Sequence, residues 1–348
     1  MSVHIRTLLP GALLVLSLHV AFAQMDMAGP AMSPGDILID TELRHDSSGT
    51  SIQPLSTPVP MLMGVSRGWT LMLHGTAFLA DVQQQAANQR GGDKLFSTNW
   101  IMPMAQRRLG SRSTLTVRAM FSVEPATITG RMYPELFQQG ETAYGRAIAD
   151  GQHPHDFVME LAAMYDFRVS ERTLLSLYLA PVGDPAIGPT AYPHRESASE
   201  DPMAALGHHQ EDSTHIAFNV LTAGVTYRWL RIEGSGFHGA EPTESRWDFQ
   251  PSPNGHAIDS DAVRLTLAPT PDVSAQYSIT EITSPEALSP DANQRRQTAS
   301  VMLNRPLGTR HDTTSMPGMD MATAATGNWS TTLLWGQTRD SKTGSFEN

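Results

Sequence analysis

The stretch Asp156-Phe-Val-Met-Glu-Leu-Ala-Ala-Met-Tyr-Asp-Phe-Arg-Val169 can be read with two periods. At helical spacing, Phe157, Leu161, Met164 and Tyr165 make a stripe. At period two, Phe157, Met159, Leu161, Ala163, Tyr165, Phe167 and Val169 are all apolar, with Glu160, Asp166 and Arg168 between them. Successive strand side chains point to opposite faces, so the unbroken period-two run predicts a strand.

The same alternation continues in both directions. Leu115, Val117, Ala119, Phe121 and Val123 alternate with Thr114, Thr116, Arg118, Met120 and Ser122. Val273, Ala275, Tyr277 and Ile279 alternate with Ser274, Gln276, Ser278 and Thr280. Segments 69–80, 99–107, 173–182, 215–229, 231–240, 259–268, 298–304 and 329–337 bring the expected strands to eleven. Short joints at 110–112, 170–172, around 230 and at 269–272 alternate with long connections through 81–98, 124–155, 183–214, 241–258 and 284–296. That rhythm predicts an antiparallel barrel with turns on one rim and long, His-rich loops on the other.

Two environments fit such strands. A soluble sandwich or barrel would turn Arg118, Glu160, Asp166, Arg168, Arg231, Glu233 and Arg264 to water. A transmembrane barrel would turn them into a polar lumen and its apolar faces to lipid. Trp69, Trp100, Tyr165, Phe167, Trp229, Trp329 and Trp335 fall near strand ends, where a barrel of this kind carries aromatic girdles. The expectation is an all-β, antiparallel transmembrane β-barrel of about twelve or more strands. The odd count of eleven, and the close at Ser345-Phe-Glu-Asn348 without a final aromatic, predict one or more closing strands beyond that point.

The start of the chain gives the compartment. Arg6 precedes an apolar run from Leu8 to Val20, and Ala21-Phe22-Ala23 supplies a small-x-small cleavage site before Gln24. Residues 1–23 thus read as a secretory signal peptide. Residues 24–60 read as a mostly extended leader rich in Met, Pro and Ser, and 61–348 as the barrel domain. Outer-membrane lipid is then the expected partner. A formal net charge of −11 argues against nucleic acid. The absence of cysteine excludes disulfides and thiolate metal sites.

Histidine carries the chemistry. Eight of the thirteen fall between 153 and 256. His153, His155, His194, His208, His209, His215 and His238 all lie in or next to the long connections, with Asp156 and Asp212 among them. If these loops share one rim, their imidazoles and carboxylates can converge on Zn²⁺, Cu²⁺ or Ni²⁺. The alternative is that they order the loops by hydrogen bonding. His153-Pro-His-Asp156 approaches the metallo-β-lactamase motif but lacks the residue between the second His and the Asp. Ser213 beside Asp212 and His215 leaves a loop-borne hydrolase as the competing enzyme reading.

Methionine is the second texture. Met25, Met27 and Met32 follow the cleavage site, and Met316-Pro-Gly-Met-Asp-Met321 separates the last two strands. Thioethers are soft ligands that select Cu(I). The run of Met316, Met319 and Met321 resembles Met-rich segments of exported copper-resistance proteins, including the outer-membrane copper-resistance barrel. The blocks His153-Pro-His-Asp-Phe157, Leu179-Ala-Pro-Val-Gly-Asp-Pro185, His208-His209 with Asp212-Ser-Thr-His215, and Gly236-Phe-His-Gly239 resemble an uncharacterised family of exported Gram-negative β-barrel proteins. That likeness implies the fold and location, and no activity. The expected function is metal-linked binding or passage, with copper ahead of zinc. A diffusion pore or structural barrel without metal is the alternative.

Overall fold

The computed structural model describes residues 37–138, 141–143, 146–212, 214, 216–248, 258–308 and 327–347. The expected signal peptide lies outside them. Thirteen strands make one antiparallel sheet: β1 (Leu62–Ser66), β2 (Trp69–Ala77), β3 (Asn99–Leu109), β4 (Ser113–Phe121) and β5 (Val158–Ser170). They are followed by β6 (Thr173–Gly183), β7 (Ala217–Tyr227), β8 (Leu230–His238), β9 (Ser260–Thr270) and β10 (Val273–Ile282). The last are β11 (Gln294–Leu307), β12 (Gly327–Asp340) and β13 (Phe346–Glu347). Their order in the sheet is their order in the chain.

All eleven expected strands are present. β1 is an addition, because Leu-Met-Gly-Val-Ser carries no polar–apolar alternation; β13 is too short to show one. Among the described residues β1 and β13 are the two edges, and no pairing joins them. At one end five connections are turns of two or three residues, the exception being 308–326 between β11 and β12; Arg67 and Gly68, with φ of 50° and 80°, link β1 to β2 in the left-handed conformation a tight hairpin needs. The opposite end carries the long connections, which hold small hairpins such as Ala80–Ala86 with Arg90–Phe96.

The sheet is turned inside out relative to a water-soluble one. On β9, Arg264 and Thr266 are buried while Val263 and Leu265 are exposed. On β10, Ser274, Ser278 and Thr280 are buried and Tyr277 is exposed. Leu175, Leu177, Leu179, Leu221, Val225, Ile232, Val301 and Leu333 continue the exposed apolar surface. No helix among the described residues is long and apolar enough to cross a membrane.

Two departures from the alternation matter. A bulge in β5 between Val158 and Glu160 turns Met159 inward, although period two placed it with the outward set. Trp100, expected in the outer girdle, shares the inward parity of buried Met102 and Met104 and packs against His74 and His194.

The buried face encloses the chain's own N-terminal part. Residues 37–60 begin with a helix, α1 (Ile37–Glu42), and continue without repetitive structure. The Glu42 carboxylate accepts from Thr226 Oγ1 of β7 at 2.6 Å and lies 3.0 Å from Arg231 Nη2 of β8. The next carbonyl, Leu43, accepts from Gln106 of β3 at 2.9 Å. In a flat sheet β3 and β8 would stand about 24 Å apart, beyond the reach of two adjacent residues. The sheet therefore curls round this segment.

Further bonds hold it. Arg118 pairs bidentately with Glu160 at 2.7 and 2.8 Å and donates to the carbonyls of His45 and Gly49 at 2.8 and 2.7 Å. His45 Nε2 meets Asp166 Oδ2 at 2.8 Å. Arg264 holds Glu233 and donates to Thr50 Oγ1 at 2.8 Å. Arg231 lies 3.0 Å from both Glu42 and Glu233, in ion-pair range but off hydrogen-bond alignment for Glu42 Oε1 and Glu233 Oε1. Buried charges persist only when paired in this way. The lumen expected to be hydrated is packed instead, with cavities of about 10 Å³ along the segment.

Candidate functional site

The connections 122–157, 184–216 and 239–259 leave the same end of the sheet, because they follow β4, β6 and β8 of an antiparallel meander. Residues 184–195 turn back into the interior, where Ala186 N–H donates to Ser235 Oγ and Gly188 N–H to Ser278 Oγ. Gly188 has φ of 69°, and a Cβ there would run into the Glu211 carbonyl. Glycine thus lets this stretch lie against the turn His208–Glu211.

That contact assembles one group of expected site residues. Asp212 Oδ1 meets His208 Nδ1 at 2.5 Å, and its Oδ2 accepts from Arg195 Nη1 at 3.1 Å and from Tyr192 N–H at 2.9 Å. The His208 ring packs edge-on against Tyr192 and His209, with centroids at 5.2 and 4.9 Å. On the other side of Tyr192 lies His155, its Nε2 3.4 Å from the phenol oxygen. The His155 backbone N–H and Nδ1 both meet Glu124 Oε2, at 2.8 and 3.0 Å. Burial opposes protonation of His155, yet the Glu124 carboxylate outweighs it and holds the imidazole above its ordinary range.

The remaining residues separate. His153 Nδ1 turns to the Pro154 carbonyl at 2.9 Å. Asp156 pairs with Arg246 at 3.4 Å, and its other oxygen has no hydrogen-bond partner. Burial, only partly offset by Arg246, pushes Asp156 up to about 6. His238 Nδ1 stands 2.8 Å from Asp259 Oδ2 without hydrogen-bond alignment. Among the described residues no three His, Asp or Glu side chains converge on a common point. His215, Met316, Met319 and Met321 lie outside the described residues, as does Ser213.

His194 belongs to a different group. Its Nε2 is 3.4 Å from Met120 Sδ. Its ring centroid is 4.3 Å from that of Trp100 and 5.8 Å from that of His74. Sequence reasoning assigned no role to His74, Glu124, Tyr192 or Arg195. His74 had a signal: it shares the inward parity of Met72 on β2. Glu124 and Arg195 had none, since their partners are distant in the chain.

Compared with family models, with characterised proteins and with solved structures, the chain matches none.

Proposed function

We propose that the protein is an outer-membrane β-barrel that binds or passes a metal ion, copper before zinc, through an interior closed by its own chain. The inverted sheet carries the membrane part. Leaving a large apolar side chain in water forfeits up to about 2 kcal/mol, and the exposed set would forfeit more than the roughly 5–15 kcal/mol by which folded chains are stable. Lipid removes that penalty. Tyr227, Trp229 and Trp329 are exposed near the short-turn end, and Arg228 sits over the Tyr227 ring at 5.9 Å. Amphipathic aromatics beside cations suit the headgroup level. Closure of the sheet in the bilayer is part of this proposal.

The metal part rests on donor chemistry: imidazoles gathered beneath the loops, and thioethers both within the sheet and in the run 316–321. A general diffusion pore would need a continuous water path, whereas residues 37–60 and 184–195 occupy the interior. Expression in a Gram-negative host tests the reading. The chain should sediment with the outer membrane, migrate faster unheated than boiled on a gel, and retain copper after purification. A freely soluble chain with one mobility would contradict the membrane part, and a folded, copper-indifferent chain the metal part.

A further inference from the structure

The inward faces of β2 to β5 differ from the rest of the interior. Elsewhere the buried side chains mix Ser, Thr, Arg and Glu with Ala, Val, Ile, Phe and Tyr, and methionine is sparse. Here Met72, Met102, Met104, Met120 and Met159 form one cluster with Val182, Ile216 and Phe218, and Met61 and Met63 pack against it. No leucine takes part, although leucines are abundant on the outer face. Register explains the gathering: Met63 lies opposite Met72, Met72 opposite Met104, and His74 opposite Met102.

Two imidazoles adjoin this sulfur-rich cluster. His74 is only 8 % exposed, and its Nε2 has no hydrogen-bond partner. An unsatisfied buried polar atom costs about 1–3 kcal/mol, so packing alone is a poor reason to place it there. His194 directs its Nε2 at Met120 Sδ across 3.4 Å. Ligand bonds of about 2.0 Å to nitrogen and 2.3 Å to sulfur, at a tetrahedral angle, separate the two donors by about 3.5 Å. Trp100 lies edge-on to His74 and close to His194, so its indole packs against both imidazoles.

We infer that Met102, Met120, His74 and His194, with Met72 and Met104 adjoining, form a binding site for a soft monovalent metal ion, Cu(I) or Ag(I), just beneath the long-loop end of the sheet. Thioether with neutral imidazole selects such ions over Zn²⁺ and Mg²⁺. The inference deepens the metal reading above and rests on it, but it places the ion on strands rather than in the loops.

The test uses the full chain refolded in detergent and titrated with Ag(I), the redox-stable analogue of Cu(I). Retained metal is counted after desalting, and the ligands are read by X-ray absorption. One Ag(I) per chain with mixed sulfur and nitrogen neighbours is expected at this site. Met102→Leu with Met120→Leu, which nearly conserves volume, should weaken binding more than about 100-fold, beyond what loss of an outer-shell partner costs. Heat-modifiable mobility should persist, and His194→Phe should reduce the nitrogen contribution to the absorption spectrum, the remainder coming from His74. Met316→Leu, Met319→Leu and Met321→Leu together should leave this ion in place. Wild-type affinity in the Met102/Met120 variant, or loss of all Ag(I) in the 316–321 variant, would overturn the site while leaving the metal reading intact. Copper binding only as Cu²⁺, with none of Ag(I), would overturn the site on the same terms. Absence of any metal binding by the folded chain would overturn both.

Discussion

At the scale of single residues, the loop end of the sheet is set against alkaline pH. Burial pushes Asp156 up to about 6, and burial with the neighbouring Asp212 pushes Glu211 up to about 7. Each is more readily protonated folded than unfolded, so each costs stability as pH rises from the ordinary carboxylate range through its folded value. His155 is raised too, burial being outweighed by Glu124, and its contribution is lost as pH rises through that folded value. The Asp150 carboxylate, held low by Arg90, titrates below this window. All three groups act in one direction between pH 5.5 and 7.5. The thermal midpoint should be higher at pH 5.5, and Glu211→Gln should flatten the difference. A midpoint that rises toward pH 7.5 would contradict these assignments. Histidines 155, 208 and 209 were legible as neighbours because loop lengths placed them at one end. Glu124, which raises His155, and Arg246, which pairs with Asp156, were not, because pairing between distant segments leaves no local pattern.

At the scale of elements, the decisive piece is the segment 37–60, whose carbonyls, Glu42 carboxylate and Thr50 hydroxyl satisfy guanidinium groups on β4, β8 and β9. Gly49 is its tightest point: φ is 60°, and a Cβ would lie 2.5 Å from Asp184 Cβ. Gly49→Val should therefore strain the segment twice, through its backbone and through overpacking worth about 1–3 kcal/mol. Gly68→Val, at an open turn with φ of 80° and no atom within 4 Å, carries only the backbone strain. The first substitution should lower the melting temperature more than the second and raise ion conductance in planar bilayers. Equal effects would show that the segment does not seal the interior. The strands were legible because one face of each is mainly apolar over its central residues. The segment 37–60 was not, since its Pro, Ser and Gly content reads as a linker; its order comes from charges on the sheet around it. The methionine cluster escaped for a related reason. Met72, Met102 with Met104, and Met120 sit on three separate strands, and only register and the β5 bulge bring Met159 to them.

At the scale of the whole molecule, the sheet buries its charges and exposes its leucines. The acidic net charge and the lack of cysteine do not choose the solvent of the outward face; the proposal of lipid rests on the sidedness of the strands. Because the chain contains no cysteine, single nitroxide labels can be placed at will. The most direct measurement compares labels at Leu175→Cys and Leu265→Cys, on the outward face of β6 and β9, with one at Ser341→Cys in an exposed turn. In lipid vesicles the two outward labels should be relaxed strongly by dissolved oxygen and weakly by a water-soluble nickel chelate, and the turn label the reverse. Nickel accessibility at Leu175 and Leu265 equal to that at Ser341 would place the apolar face in water and contradict the account.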